Sequence, residues 1–192
     1  IATIPIIAIM IWTQFEKNTI ALEMRQSFNQ QMVSFEKSIS ERAAIPTATL
    51  GGIRGLFSAS QEVTAAEFHR YAADYLREPQ TAIRTIGFAK LSEPSVAKIS
   101  FLESLNPSDV KYQGYDLLSD AALQSVMESA RDSGYVVMSN KTTSLLDADE
   151  KRIQTLVFSP VFSNEKDTMT VNERRQALEG YIFASIDLQK IL

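Results

Sequence analysis

Asp147, Asp149 and Glu150 place three carboxylates within four positions. Paired carboxylates are the groups a hydrolase uses as general acid and base. These three sit inside NKTTSLLDADEKR, a polar and charged connection where a solvated surface is the simpler account. An extracytoplasmic hydrolase working through these loop carboxylates stays as a minor alternative. The other chemical candidates are weaker. His69 is the only histidine, so a Ser-His-Asp triad would hang on it alone and a His-rich metal site is out of reach. There is no cysteine, hence no thiolate chemistry and no disulfide framework. The glycine cluster GGIRG lacks the Lys-Ser/Thr pair of a phosphate loop. Asn140 opens an NKT acceptor, which matters only in a eukaryotic secretory pathway. A net charge of −4 with no dense Lys/Arg cluster argues against a nucleic-acid partner.

Binding without catalysis is what these exclusions leave, with no cofactor called for. Small-molecule sites are mostly apolar, with a few placed polar groups. Phe88, Tyr112, Tyr115, Leu145 and Phe158 are candidate apolar and aromatic walls, and Ser139 is the best polar candidate. Taken singly, each of these residues is better accounted for as ordinary core.

The elements that would position them can be read along the chain. Its 192 residues are 45% hydrophobic, enough for a real core. IATIPIIAIMIW, residues 1–12, is apolar and ends in Trp12. A span needs about 20 apolar residues, so this stretch reads as the outer half of a transmembrane helix with its indole at the interface. From Thr13 to about Ala44 there is neither Gly nor Pro, and Leu22, Phe28, Met32, Phe35, Ile39 and Ala43 form one apolar stripe. Some 30 residues make a rod of about 45 Å. We therefore expect a stalk over 13–60, with PTATLGGIRGLFSAS as its weak or bent continuation.

Further on, Thr64 with Glu67 forms a capping box for a helix ending near Arg77. TAIRTIGFAKL reads as a strand, whereas SVAKISFLESL has helical spacing through Val96, Ile99, Leu102 and Leu105, with Ser95 as cap. Residues 106–118 read as a loop with a short strand near Tyr112. Ser119 is placed to cap a helix that buries Leu123, Val126, Met127 and Ala130, and Gly134 stops it. YVVMS, IQTLVFSPVF and LEGYIFASIDL are strands, SNEKDTMTVNERRQ is loop-like, and DLQKIL turns helical. Consecutive late strands with segregated helices indicate an α+β fold built on antiparallel sheets.

GYDLLSDAALQSVMESARDSGYVVMS, then TLVFSPVF, then RRQALEGYIFASIDLQKIL resemble the CHASE domain, the extracytoplasmic sensor of many histidine kinases and nucleotide cyclases. ATLGGIRGLFSASQEVTAAEFHRYAADYL and AIRTIGFAKL fit the same pattern, so the resemblance covers about residues 40–192. It implies a long stalk helix carrying two stacked PAS-like subdomains: a distal one over about 80–162, which holds the ligand, and a proximal one from about 163–192 with parts of 46–80. It also implies a homodimer through the stalk, attachment to the inner membrane through flanking helices, and a periplasmic or extracellular position. The parent protein would be a histidine kinase or a diguanylate cyclase or phosphodiesterase. The family's best-known ligands are cytokinins. Where those relatives carry an adenine-gripping acid this chain has Leu123, and a pocket threonine is replaced by Phe158; Ser139 and Leu145 match a strand-end threonine and a leucine. The resemblance thus implies a small-molecule sensor that does not grip adenine. A membrane-tethered interaction module with no small-molecule ligand is the alternative.

Overall fold

Alternating apolar residues make the strands that organise this chain. The computed structural model describes residues 44–78, 81–93, 95–139 and 154–191. The expected membrane half-span at 1–12 and the stalk up to residue 43 lie outside them. Within the described residues, no helix is long and apolar enough to cross a membrane. Residues Arg42–Leu192 form a single unit by Cα packing.

Residues 44–59 are helical (α1), glycines included. α2, Ala65–Arg77, follows the expected capping box: Thr64 Oγ1 accepts from Glu67 N, and Glu67 Oε2 accepts from Thr64 N at 2.9 Å. Those cap bonds hold the Glu67 carboxyl below its ordinary range. Gly52 lets the two helices meet closely, since a Cβ there would stand 2.6 Å from the Tyr75 hydroxyl.

Five strands form one antiparallel sheet in the order β2-β1-β5-β4-β3: β1 Ile83–Glu93, β2 Val96–Ser104, β3 Val137–Met138, β4 Gln154–Phe162 and β5 Leu178–Asp187. The last strand, β5, therefore lies at the centre between β1 and β4. This confirms the α+β class and the antiparallel pairing. β4 and β5, which the sequence reading divides between distal and proximal subdomains at about residue 162, are neighbours here, and all described strands belong to this sheet.

One segment expected to be helical is a strand. SVAKISFLESL is β2, and the i, i+3 spacing of Ile99 and Leu102 comes from a β-bulge: Phe88 pairs with Phe101 and Ala89 with Ile99, leaving Ser100 as the extra residue. A bulge inverts the inside–outside alternation, so an apolar residue recurs after three positions instead of two.

The sheet has two apolar faces. On the first lie Phe57 of α1, Phe68 of α2, Phe88 of β1 and Phe101 of β2, with the Phe57 and Phe88 rings 4.4 Å apart and the Phe68 and Phe101 rings 5.3 Å apart. α1 and α2 cover this side, burying Leu50, Ile53, Phe68 and Ala72. The second face is covered by the segment from Pro107 to Ser133. It begins with a 3-10 helix, Pro107–Tyr112, passes a second 3-10 turn, Leu117–Ser119, and ends in α3, Ala121–Ser133. Asp120, not Ser119, caps α3, its side chain accepting from Ala122 N at 2.8 Å. Gly134 closes the helix at φ 76°, the left-handed region that glycine enters without strain. Residues expected as loop contain α4, Val171–Ala177, which begins with a second capping box between Thr170 and Glu173. Polar surface residues gave it no apolar stripe to betray it.

Candidate ligand-binding face

The second face can be built row by row from the strand register. One row crosses the sheet as Leu102, Gly87, Phe183, Phe158 and Val137. It forms the middle of an apolar cluster that also contains Ala89, Ile99, Leu117, Leu123, Met127, Leu156 and Tyr181. The Phe158 and Phe183 ring centroids are 6.4 Å apart. Full burial of side chains this size is worth about 1.5–3 kcal/mol each. The Tyr181 phenol lies in the same cluster, and burial pushes its pKa up to about 12.

The neighbouring row is different. It runs Ser104, Thr85, Ser185 and Leu156 by strand register, and Ser139 N donates to Leu156 O at 2.7 Å, which adds Ser139 at the far end. Four of its five members carry hydroxyls. All lie on the same face as Phe183 and Phe158, because side chains two residues apart share a face. Thr85 and Ser185 are fully buried and Ser139 is 5% exposed.

Over this row the first 3-10 helix delivers a carboxylate. Asn106 caps that helix, its side chain accepting from Ser108 N at 3.1 Å, and Pro107 opens it. Asp109 follows on its first turn and is 1% exposed. Ser104 Oγ donates to Asp109 Oδ2 at 2.5 Å and Thr85 Oγ1 lies 3.2 Å from the same oxygen; the two hydroxyl oxygens are 2.9 Å apart. Ser185 Oγ, next in the row, is buried with no hydrogen-bond partner among the described residues. A buried hydroxyl left in that condition costs free energy.

The expected site residues divide. Leu123 and Phe158 are buried in the apolar cluster, and Tyr112 packs against it. Ser139 stands at the end of the hydroxyl row, its carbonyl accepting from Thr155 Oγ1 at 2.7 Å. Tyr115 is 37% exposed and meets Tyr112 edge-on, with ring centroids 6.3 Å apart. Phe88 lies on the opposite side of the sheet with Phe57 and Phe101 and is not brought together with the others. Leu145, with Asp147, Asp149 and Glu150, lies outside the described residues. Asp109, Ser104, Thr85 and Ser185 were missed. The available signal was polar residues at inward strand positions, as in the steps Ile83-Thr85-Gly87 and Tyr181-Phe183-Ser185.

α3 is tied to the second half of the sheet by arginines. Arg174 of α4 donates to Asp132 O through Nε at 2.9 Å and Nη2 at 2.7 Å, and through Nη1 to Thr168 O at 2.8 Å. Arg175 grips the Asp132 carboxylate with both prongs, at 3.0 and 2.6 Å, and Arg131 Nε adds a third bond at 2.7 Å. The Arg175 and Arg131 guanidiniums hold this carboxyl well below the usual carboxylate range.

His69 of α2 pairs with Glu103 of β2. No group of three potential metal ligands occurs among the described residues.

Fold and face define an α+β domain whose second sheet face is packed under α3 and the 3-10 helices. The CHASE domain family model matches residues 52–192, and the chain belongs to that family. CHASE domains are extracytoplasmic sensor domains, so this is a sensor in signal transduction and not itself a catalyst. No curated protein matches the chain. Among solved structures it is similar to the ligand-binding domain of the Pseudomonas aeruginosa PAO1 amino acid chemoreceptor PctC in complex with GABA, with 11% identity and a TM-score of 0.49. That likeness covers 85% of this chain but 62% of the other, so this chain spans less than two thirds of its length.

Proposed function

We propose that this chain is the ligand-binding sensor region of a transmembrane receptor. A small molecule binds on the second face of the sheet, under α3 and the 3-10 helix that carries Asp109. Its occupancy is passed to a cytoplasmic kinase or cyclase output. The region lies in the periplasm or outside the cell, held to the membrane by flanking helices, and acts as a homodimer through the stalk.

The observation that carries the ligand reading is the hydroxyl row with its buried carboxylate, in a domain of a sensor family. An apolar row would fill the same space at less cost. A polar set with one unpartnered member is what a recognition surface requires. The arginine bonds support a transmission route: Arg174 and Arg175, just before the central strand β5, hold Asp132 of α3. A ligand drives such a shift only through its differential affinity for two states.

A thermal-shift screen of the purified chain against a small-molecule library tests the binding step. A saturable, dose-dependent rise in melting temperature supports it. A cysteine-accessibility map that placed residues 60–180 in the cytoplasm would sink the topology.

A further inference from the structure

We infer that the last turn of α1 and the C-terminal end of α3 form one mechanical junction, closed around the end of the sheet, through which a displacement of α3 reaches α1 without passing through the strands. On the sensor reading above, this gives the cover of the second face a direct line to the helix on the first.

The two helices lie on opposite faces. A ring of side-chain bonds to backbone carbonyls joins them. Arg54 of α1 donates through Nη1 to Gly134 O at 3.4 Å, across 80 positions of chain. One turn further along α1, Asn164 Nδ2 donates to Ser58 O at 3.0 Å and to Phe57 O at 3.5 Å. Those carbonyls belong to the end of the helix, where no intrahelical amide is left to satisfy them. Asn164 stands two residues past β4 and opens the segment that leads to Thr168 and Met169. Arg174 closes the ring. It donates to Thr168 O and Met169 O through Nη1, and to Asp132 O through Nε and Nη2. The circuit therefore runs from α1 to the end of α3, on to Arg174, back along the segment before α4, and through Asn164 to α1 again. The strands end at the same place, where Ser163 N donates to Ala177 O at 2.8 Å between β4 and β5. At Gly134 the circuit is tightest, since a Cβ there would stand 3.3 Å from Arg174 Cδ. The negative end of the α3 dipole favours both guanidiniums. Any one of these bonds is modest. In a closed ring each constrains the others, which is the condition for coupled energetics.

Native-state hydrogen exchange on the purified chain tests the junction, with the β5 amides as the measure of global opening. Two reporters are read against them: the Gly134 amide, bonded to Ala130 O at 2.9 Å, and the amides in the last turn of α1. Arg54→Met should speed Gly134 exchange at least about fivefold beyond any change at β5, as loss of a hydrogen bond from a charged donor implies. Arg174→Met should do the same to the last turn of α1, although none of its hydrogen bonds among the described residues reaches that helix. Asn164→Ala, a change at an exposed residue, should also loosen Gly134, and it decides the matter where an arginine variant does not fold. Thr64→Ala is the control: it uncaps α2 on the first face, outside the ring, and should leave Gly134 level with β5. The inference is overturned if Gly134 follows β5 in Arg54→Met or Asn164→Ala, if Arg174→Met leaves α1 untouched, or if Thr64→Ala loosens Gly134 as much as the ring variants do. Each of those results would leave ligand binding on the second face standing, because the thermal-shift screen tests it separately.

Discussion

The tip of the Phe183 ring on β5 fills the space beside Gly87, its register partner on β1, leaving no room for a Cβ. On the reverse side a Cβ on Gly180 would stand 2.4 Å from the Ala89 carbonyl oxygen and 2.8 Å from the Phe88 ring. The two pairs lock β1 to β5 from both faces, each aromatic ring filling the space a glycine vacates.

Gly87→Ala should therefore destabilise the chain by about 2–3 kcal/mol, the usual cost of overpacking a tight core. Urea unfolding would measure it as a lower midpoint at unchanged slope. In a double-mutant cycle with Phe183→Ala the two losses should be clearly non-additive, because each change acts on the same contact. Additive losses would mean the ring and the glycine are not coupled.

Arg174→Lys should behave almost as badly as Arg174→Met. A lysine is a point donor and cannot span Asp132 O and Thr168 O together. About 2 kcal/mol is at stake, as expected for hydrogen bonds from a charged donor. Hydrogen exchange should show the α4 amides opening first in both variants. Full rescue by lysine would contradict the fork geometry.

Two titrations bracket the pH range of stability. Asp132 has its folded pKa depressed, by Arg175 first and Arg131 second. Its contribution is thus present above the unfolded value of about 3.9 and lost as pH falls through the folded value. Asp132→Asn should be less stable than wild type at neutral pH, with the gap narrowing in acid. Tyr181 works in the opposite direction. Its folded pKa is raised to about 12 by burial, so stability is fully present below the unfolded value of about 10 and is lost as pH rises toward the folded one. Tyr181→Phe should flatten the alkaline limb of a stability–pH curve between those values.

Ser185→Ala should raise stability by about 1 kcal/mol in the absence of ligand, because it removes a buried hydroxyl with no partner among the described residues. A gain in stability with a loss of binding is the pattern of a residue kept for recognition. Destabilisation in chemical denaturation would show that the hydroxyl is satisfied.

Isopentenyladenine should show no micromolar binding in calorimetry. Leu123 is 3% exposed within an apolar cluster beside Met127 and Phe158, and offers adenine no acceptor. Leu123→Asp alone should not install that affinity, since it buries a charge among these apolar neighbours.

Much of this architecture could be read from residue order. The Thr64 capping box, the Gly134 stop and the strands around Phe88, Phe158 and Phe183 each carry a local signal strong enough to stand alone. β2 did not, because the extra residue Ser100 turns a two-residue rhythm into a three-residue one. α4 was hidden because its capping box precedes no apolar run. The site was half legible. Leu123, Phe158 and Ser139 announce themselves by flanking turns and apolar runs. Asp109 does not, since it reaches the sheet from a 3-10 helix and meets Thr85 only across 24 positions of chain. Such a meeting depends on strand register, and register is a property of partners, not of a segment.

The central place of β5 has a consequence for how the domain comes into being. β1 with β2, and β3 with β4, can pair early as neighbours in sequence, but they have no contact ladder with each other until β5 arrives between them. A ribosome delivers the chain from its N-terminal end, so both half-sheets wait with an open edge for the last strand. The row from Ser104 to Ser139 is likewise divided until then, because Ser185 is its middle member. A nascent chain therefore cannot complete this row, or close its sheet, before residue 185 has cleared the exit tunnel.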